Sequence, residues 1–104
     1  MRVDVKDKYQ EFEKYKKLTY DFFRSYGALN ILILLKLLGP AGLLSEVTKY
    51  TKGKVALNVL EKYNLVKVFR GNKSKVVMLT DKGDKVAELL IKICRELTED
   101  DELE

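Results

Sequence analysis

Apolar residues recur with helical spacing towards both ends of the chain and with strand spacing between them. Val5, Tyr9, Phe12, Tyr15, Leu18, Phe22 and Tyr26 follow one another at steps of three or four. That spacing sets them on one stripe of a long helix, predicted over residues 5–26. Lys6, Lys8, Glu11, Glu13, Lys14 and Lys17 fall largely outside the stripe. Gly27 separates this helix from, or kinks it into, the segment 28–38, which is apolar nearly all round and reads as the central core helix. Gly39-Pro40 ends that segment with a helix-terminating Gly and a helix-incompatible Pro. A shorter helix is predicted from Leu43 or Leu44 to about Tyr50, with Leu44 and Val47 facing inward and Tyr50 a further candidate. Thr51-Lys52-Gly53 is the expected turn. The next helix runs from about Lys54 to Tyr63, anchored by Leu57, Leu60 and Tyr63, and Asn64 can end it in the left-handed conformation.

The period then changes. Val66-Lys67-Val68-Phe69-Arg70 and Val76-Val77-Met78-Leu79-Thr80 flank the loop Gly71-Asn72-Lys73-Ser74-Lys75, a hairpin signal with a basic tip. Alternation turns Val66, Val68, Val77 and Leu79 inward and Lys67 outward. Arg70, Lys73 and Lys75 cluster at or near the tip, with Asn72 in the turn. A last helix is predicted over residues 81–98, capped by Thr80 or Asp81. In it Val86, Leu90, Ile93 and Leu97 repeat at four, three and four, with Leu89 and Cys94 beside them, as in a coiled-coil seam. Residues 99–104 hold five acids and almost no apolar side chain, the composition of a disordered tail. Residues 1–98 read as one domain.

Composition narrows the chemistry. The 104 residues suffice for a single modest core. The net charge of +4 hides a strong asymmetry: without the acidic tail, 20 bases stand against 11 acids. Between Lys49 and Lys85 there are ten bases and three acids. Such a concentration of one sign attracts polyanions, whereas a lysine-rich solvated surface is the plainer explanation. With no histidine, His-based triads and His metal sites are excluded. The single cysteine, Cys94, cannot build a multi-cysteine zinc site within one chain. The six glycines are scattered, so no phosphate-cradling loop is present. We expect no enzymatic activity, no metal and no cofactor. No apolar run approaches the roughly 20 residues that span a bilayer, and the first residues lack the apolar stretch of a secretion signal, so a cytoplasmic protein without membrane association is expected.

The order of parts carries the functional expectation. An apolar helix ends at Gly39-Pro40, a helix with Ser45-Glu46-Val47 follows, the next helix closes with Leu57, Leu60, Glu61 and Asn64-Leu65-Val66, and the hairpin closes with Leu79-Thr80 and Gly83. Over residues 29–97 this pattern resembles the winged helix-turn-helix domains of MarR- and PadR-type transcription regulators and their archaeal relatives. Size, basicity, the single cysteine and the flanking helices also resemble the small 12-kDa dimeric DNA-binding proteins of thermoacidophilic archaea. The resemblance implies a mainly α fold with a small β-hairpin wing, the winged core at 29–80 being flanked by N- and C-terminal dimerisation helices. It implies a homodimer on double-stranded DNA, with the recognition helix in the major groove and the wing on phosphates or in the minor groove. Lys49, Lys52, Lys54, Asn58, Lys62, Lys67, Arg70, Asn72, Lys73 and Lys75 are the residues so implicated. Asn58 has the chemistry to pair with adenine, or is an ordinary exposed helix residue. Here the chain departs from the pattern: this helix offers Val55 and Val59 and no arginine. Those valines either meet thymine methyls or pack under the N-terminal helix.

The seam of Val86, Leu89, Leu90, Ile93, Cys94 and Leu97 is the expected dimer interface, with the N-terminal stripe packing over it. Two Cys94 side chains meeting at a two-fold axis would form an intersubunit disulfide; the alternative is a buried free thiol. A winged domain that binds protein rather than DNA is the competing function. A ligand-sensing repressor is a third, with its effector unknown.

Overall fold

Ala28, Ile31, Leu32 and Leu35 give one helix an apolar surface too broad for the edge of a domain, and the rest of the molecule is wrapped around it. The computed structural model describes residues 2–50 and 53–103. Its elements are α1 (Arg2–Phe23), α2 (Tyr26–Leu38), β1 (Ala41–Leu43), α3 (Leu44–Val47) continuing into a 3-10 turn at Thr48–Tyr50, α4 (Gly53–Lys62), β2 (Val66–Arg70), β3 (Lys75–Leu79) and α5 (Asp81–Leu103). All four of those α2 side chains are fully buried, alongside Val47, Leu60, Val77 and Ala87. Each large one contributes roughly 1.5–3 kcal/mol relative to an exposed position.

Local signals end the elements as expected. Gly39 adopts φ +75° and donates its N–H to the Leu35 carbonyl, 2.9 Å away. Asn64 takes φ 60°. Its N–H donates to the Glu61 carbonyl at 3.0 Å and that of Leu65 to the Leu60 carbonyl at 2.9 Å. This is the paired arrangement that satisfies the last carbonyls of a helix. Thr80 caps α5: its hydroxyl accepts the Gly83 N–H at 2.9 Å and donates to the Asn64 carbonyl at 2.7 Å. A Cβ at Gly83 would lie 1.9 Å from the Leu65 carbonyl oxygen. The first turn of α5 therefore rests directly on backbone, which explains the Leu79-Thr80-x-x-Gly83 spacing.

Several boundaries depart from the sequence expectations. The break between the first two helices falls at Arg24-Ser25, and Gly27 lies inside α2. The Ser25 carbonyl accepts the Ala28 N–H, so α2 begins at Tyr26, two residues earlier than a break at Gly27 would allow. A third strand, β1, joins the hairpin: Ala41 lies opposite Met78 and Leu43 opposite Val76, giving an antiparallel sheet of order β1-β3-β2. Three residues are too short to show a period of two, so the sequence carries no sign of it. The α5 backbone stays helical to Leu103, where a disordered tail was expected from residue 99. Extending an established helix costs little, and Glu and Leu are good helix formers.

The predicted seam on α5 divides. Leu90 is buried and Val86 half-buried, both packed within their own chain over α2, while Leu89, Ile93, Cys94 and Leu97 are exposed. The helix passes across the core in its first half and then overshoots it. Lys36, on α2, holds this crossing through an ion pair to Asp84 at 2.8 Å, with Glu88 at 4.0 Å. Those carboxylates raise the Lys36 pKa, Asp84 foremost by its hydrogen bond. On α1 the stripe from Val5 to Leu18 is exposed, and Phe22 is the stripe residue packed on the core.

Candidate nucleic-acid interface

The helix expected to read DNA is α4. Ala56 and Leu60 are buried, with Leu57, Val59 and Tyr63 half-buried against the core. Those positions share one face at helical spacing, which leaves Val55, Asn58, Glu61 and Lys62 on the solvent side. Asn58 is therefore free to meet a partner. The two valines separate: Val59 packs on the core cluster, whereas Val55 is 68% exposed and packs under nothing in its own chain. Lys52 lies outside the described residues, as does the side chain of Lys54, although the backbone of Lys54 belongs to the first turn of α4. Lys49 is exposed and sits 3.6 Å from Glu46 one turn earlier on the same segment.

In the wing, the register pairs Val66 with Leu79, Val68 with Val77 and Arg70 with Lys75. Alternation sets these three rungs on one face. The first two rungs are core. The third places two cations directly opposite each other, an arrangement that destabilises a hairpin unless an anion relieves it. No salt bridge reaches Arg70, Lys73 or Lys75 among the described residues. The turn is closed by the Gly71 N–H donating to the Ser74 carbonyl at 2.8 Å. Between this turn and α3 lies an open cleft of about 410 Å³, lined by Leu43, Leu44, Ser45 and Thr48 on one side and residues 71–75 on the other. Asn72, Lys73 and Lys75 thus gather at one cleft with an apolar floor. Lys67 does not join them. It lies opposite Met78 on the other face of the sheet, beside the exposed ring of Phe69.

Lys62 has a partner that the sequence did not reveal. Its ammonium donates to the Asp21 carboxylate at 2.6 Å, and the Tyr63 hydroxyl donates to the same oxygen. Tyr63 is itself set edge-on against Phe22, with ring centroids 5.9 Å apart. The end of α1 is thereby tied to the end of α4. The hydrogen bonds from Lys62 and Tyr63 lower the Asp21 pKa, and the same carboxylate raises the pKa of both donors. Asp21 and Lys62 are 41 residues apart, and no spacing rule connects them.

No group of three or more His, Cys, Asp or Glu side chains that could hold a metal occurs among the described residues. No helix among them is long and apolar enough to cross a membrane. Cys94 is a free thiol, exposed in the single chain on the overshooting part of α5, and the structure gives no support for a disulfide.

Comparison with known proteins finds the same fold in solved structures that include transcriptional regulators. No protein-family model and no characterised protein sequence matches the chain. Solved structures do. The transcriptional regulator homologue protein from Pyrococcus horikoshii OT3 is 25% identical with a TM-score of 0.56, over 69% of this chain and 79% of its own. AF1382 from Archaeoglobus fulgidus is 21% identical with a TM-score of 0.58, over 70% of this chain and 89% of its own. The transcriptional repressor BigR from Xylella fastidiosa is 18% identical with a TM-score of 0.56, over 92% and 96%. The fold is mostly helical with a three-stranded antiparallel sheet whose hairpin forms the wing, as in the winged-helix regulators it is similar to.

Proposed function

We propose that this chain binds double-stranded DNA as a homodimer and acts as a transcription regulator or chromatin-type protein rather than as an enzyme. One observation carries the reading: Arg70 and Lys75 oppose each other without an acidic partner among the described residues, and Lys73 and Lys75 face a cleft beside the helix-turn-helix. A DNA phosphate relieves that like-charge rung, and the cleft's apolar floor suits a deoxyribose. The exposed face of α4, with Asn58 and the methyls of Val55, meets base edges in the major groove. Lys49, Lys52 and Lys54 supply charge at its leading end. Similarity to transcriptional regulators supports the same assignment.

The homodimer reading rests on apolar side chains that the single chain leaves in water. Leu97 is 72% and Ile93 51% exposed on α5, and Tyr9 and Phe12 stand equally open on α1. Helices with such stripes are covered by a second copy in the assembly we envisage, with Leu89, Ile93, Cys94 and Leu97 at the contact. Two copies double the phosphate contacts.

The test is fluorescence-anisotropy binding of mixed-sequence duplex across a salt series. Affinity should fall linearly in log–log form, and Lys73→Gln and Lys75→Gln should each flatten the slope by about 0.9 per protomer. Tight binding with no salt dependence, or none at low salt, removes the reading. In the second case the competing function stands, in which α4 docks a protein; the 68% exposure of Val55 is the observation that favours it.

A further inference from the structure

The ion pair at the junction of α1 and α4 changes which charges the recognition helix can offer. This step rests on the DNA-binding reading above. Lys62 is the last residue of α4 and donates to Asp21 at 2.6 Å, so its charge is matched by a carboxylate of the same chain in a surface ion pair. Asp21 is not free to follow Lys62 away from the surface. The Tyr63 hydroxyl holds the same oxygen, and the Tyr63 ring is wedged against Phe22. Glu61 is exposed beside the pair. The C-terminal end of α4 therefore presents a neutralised ion pair, the exposed acid Glu61 and the negative end of the helix dipole. The wing tip holds Arg70, Lys73 and Lys75 with no acidic partner among the described residues.

We propose that Asp21 is a positioning residue for DNA docking: it withholds Lys62 from phosphate and keeps the C-terminal end of the recognition helix off the strand. The wing's Arg70, Lys73 and Lys75 then supply the phosphate contacts. An acid on α1 thereby sets which charges the end of α4 can offer. On this account Lys62, which the sequence placed among the DNA contacts, is a surface cation that DNA does not use.

The experiment compares the unsubstituted full-length chain, Asp21→Asn, Lys62→Gln and the double substitution, by anisotropy on one mixed-sequence duplex across a salt series. Asparagine keeps an acceptor for the Tyr63 hydroxyl while removing the charge. Asp21→Asn should tighten binding and steepen the log–log slope by about 0.9 per protomer, the signature of one added phosphate contact. Lys62→Gln alone should leave the slope unchanged, and the double substitution should restore it. A merely structural role for Asp21 predicts the opposite, weaker binding with an unchanged or flatter slope, and thermal melts of each variant record any loss of folding. The proposal is overturned if Lys62→Gln flattens the slope of the otherwise unsubstituted chain, because Lys62 would then already contact phosphate. It is equally overturned if Asp21→Asn leaves the slope where it was. Failure of the unsubstituted chain to bind at low salt removes the DNA reading and this proposal together, so the two failures are told apart by the first sample measured.

Discussion

The winged core and the two terminal helices all carry apolar stripes, and those stripes meet opposite fates. On α2, the side chains at 28, 31, 32 and 35 vanish into the interior, whereas on α1 those at 5, 9, 12, 15 and 18 remain in water. Stripe composition does not explain the difference, since the α1 stripe is the richer in aromatics. Geometry does. The core helix is crossed by α4, α5 and the sheet, while α1 touches the domain near its last turn and projects from it. An amphipathic pattern guarantees a helix that needs a partner; it does not say whether the partner is in the same chain. Within α5 the same contrast recurs along one helix, buried at Leu90 and open at Ile93 and Leu97.

Substitutions can break that comparison at graded cost. Leu60→Ala, in the fully buried anchor of α4, should destabilise the chain by about 2–5 kcal/mol, read by chemical denaturation, because it leaves a cavity that the surrounding helices cannot fill. Less than 1 kcal/mol would mean that the core around α4 collapses freely. Gly83→Ala should cost about 1–3 kcal/mol, since the added methyl meets a backbone carbonyl that cannot swing aside. A neutral result there would show that α5 does not rest on Leu65. The smallest effect on the folded subunit is expected in the arms. Ile93→Asp with Leu97→Asp should shift the stability of a dilute, dissociated chain by only about 0.5 kcal/mol. At higher concentration the pair should convert dimer to monomer in sedimentation equilibrium. If the chain is monomeric before substitution, the exposed stripes do not pair copies of it.

How far the molecule was legible depended on the range of the interaction concerned. Gly39 and Asn64 announced their left-handed turns because a helix end is decided within a few residues. The wing's two strands and its basic tip followed from alternation for the same reason, but the register did not: Lys75, read as a loop residue, is the first residue of β3 and lies opposite Arg70. The Leu-Thr-x-x-Gly spacing was visible as a pattern, but its cause, contact between Gly83 and the Leu65 backbone, required the folded chain. Strand β1 was invisible because its stability comes from β3, more than 30 residues later. The valines of α4 could be assigned to the core or to a partner only after the position of α1 was known. Lys62 looked like any lysine on an exposed helix face until Asp21 was brought to it.

The sequence alone thus determined the helices, most of their ends, the hairpin and the concentration of cations around it, all of which depend on neighbours within about one or two turns of chain. Tertiary structure alone decided which apolar stripes became core, that Lys62 meets an acid from a distant segment, and that the end of α1 holds the end of α4. Those outcomes depend on contacts between segments far apart in the chain. Helical and strand periodicity fixes the face of an element that seeks a partner, and the packed fold selects the partner.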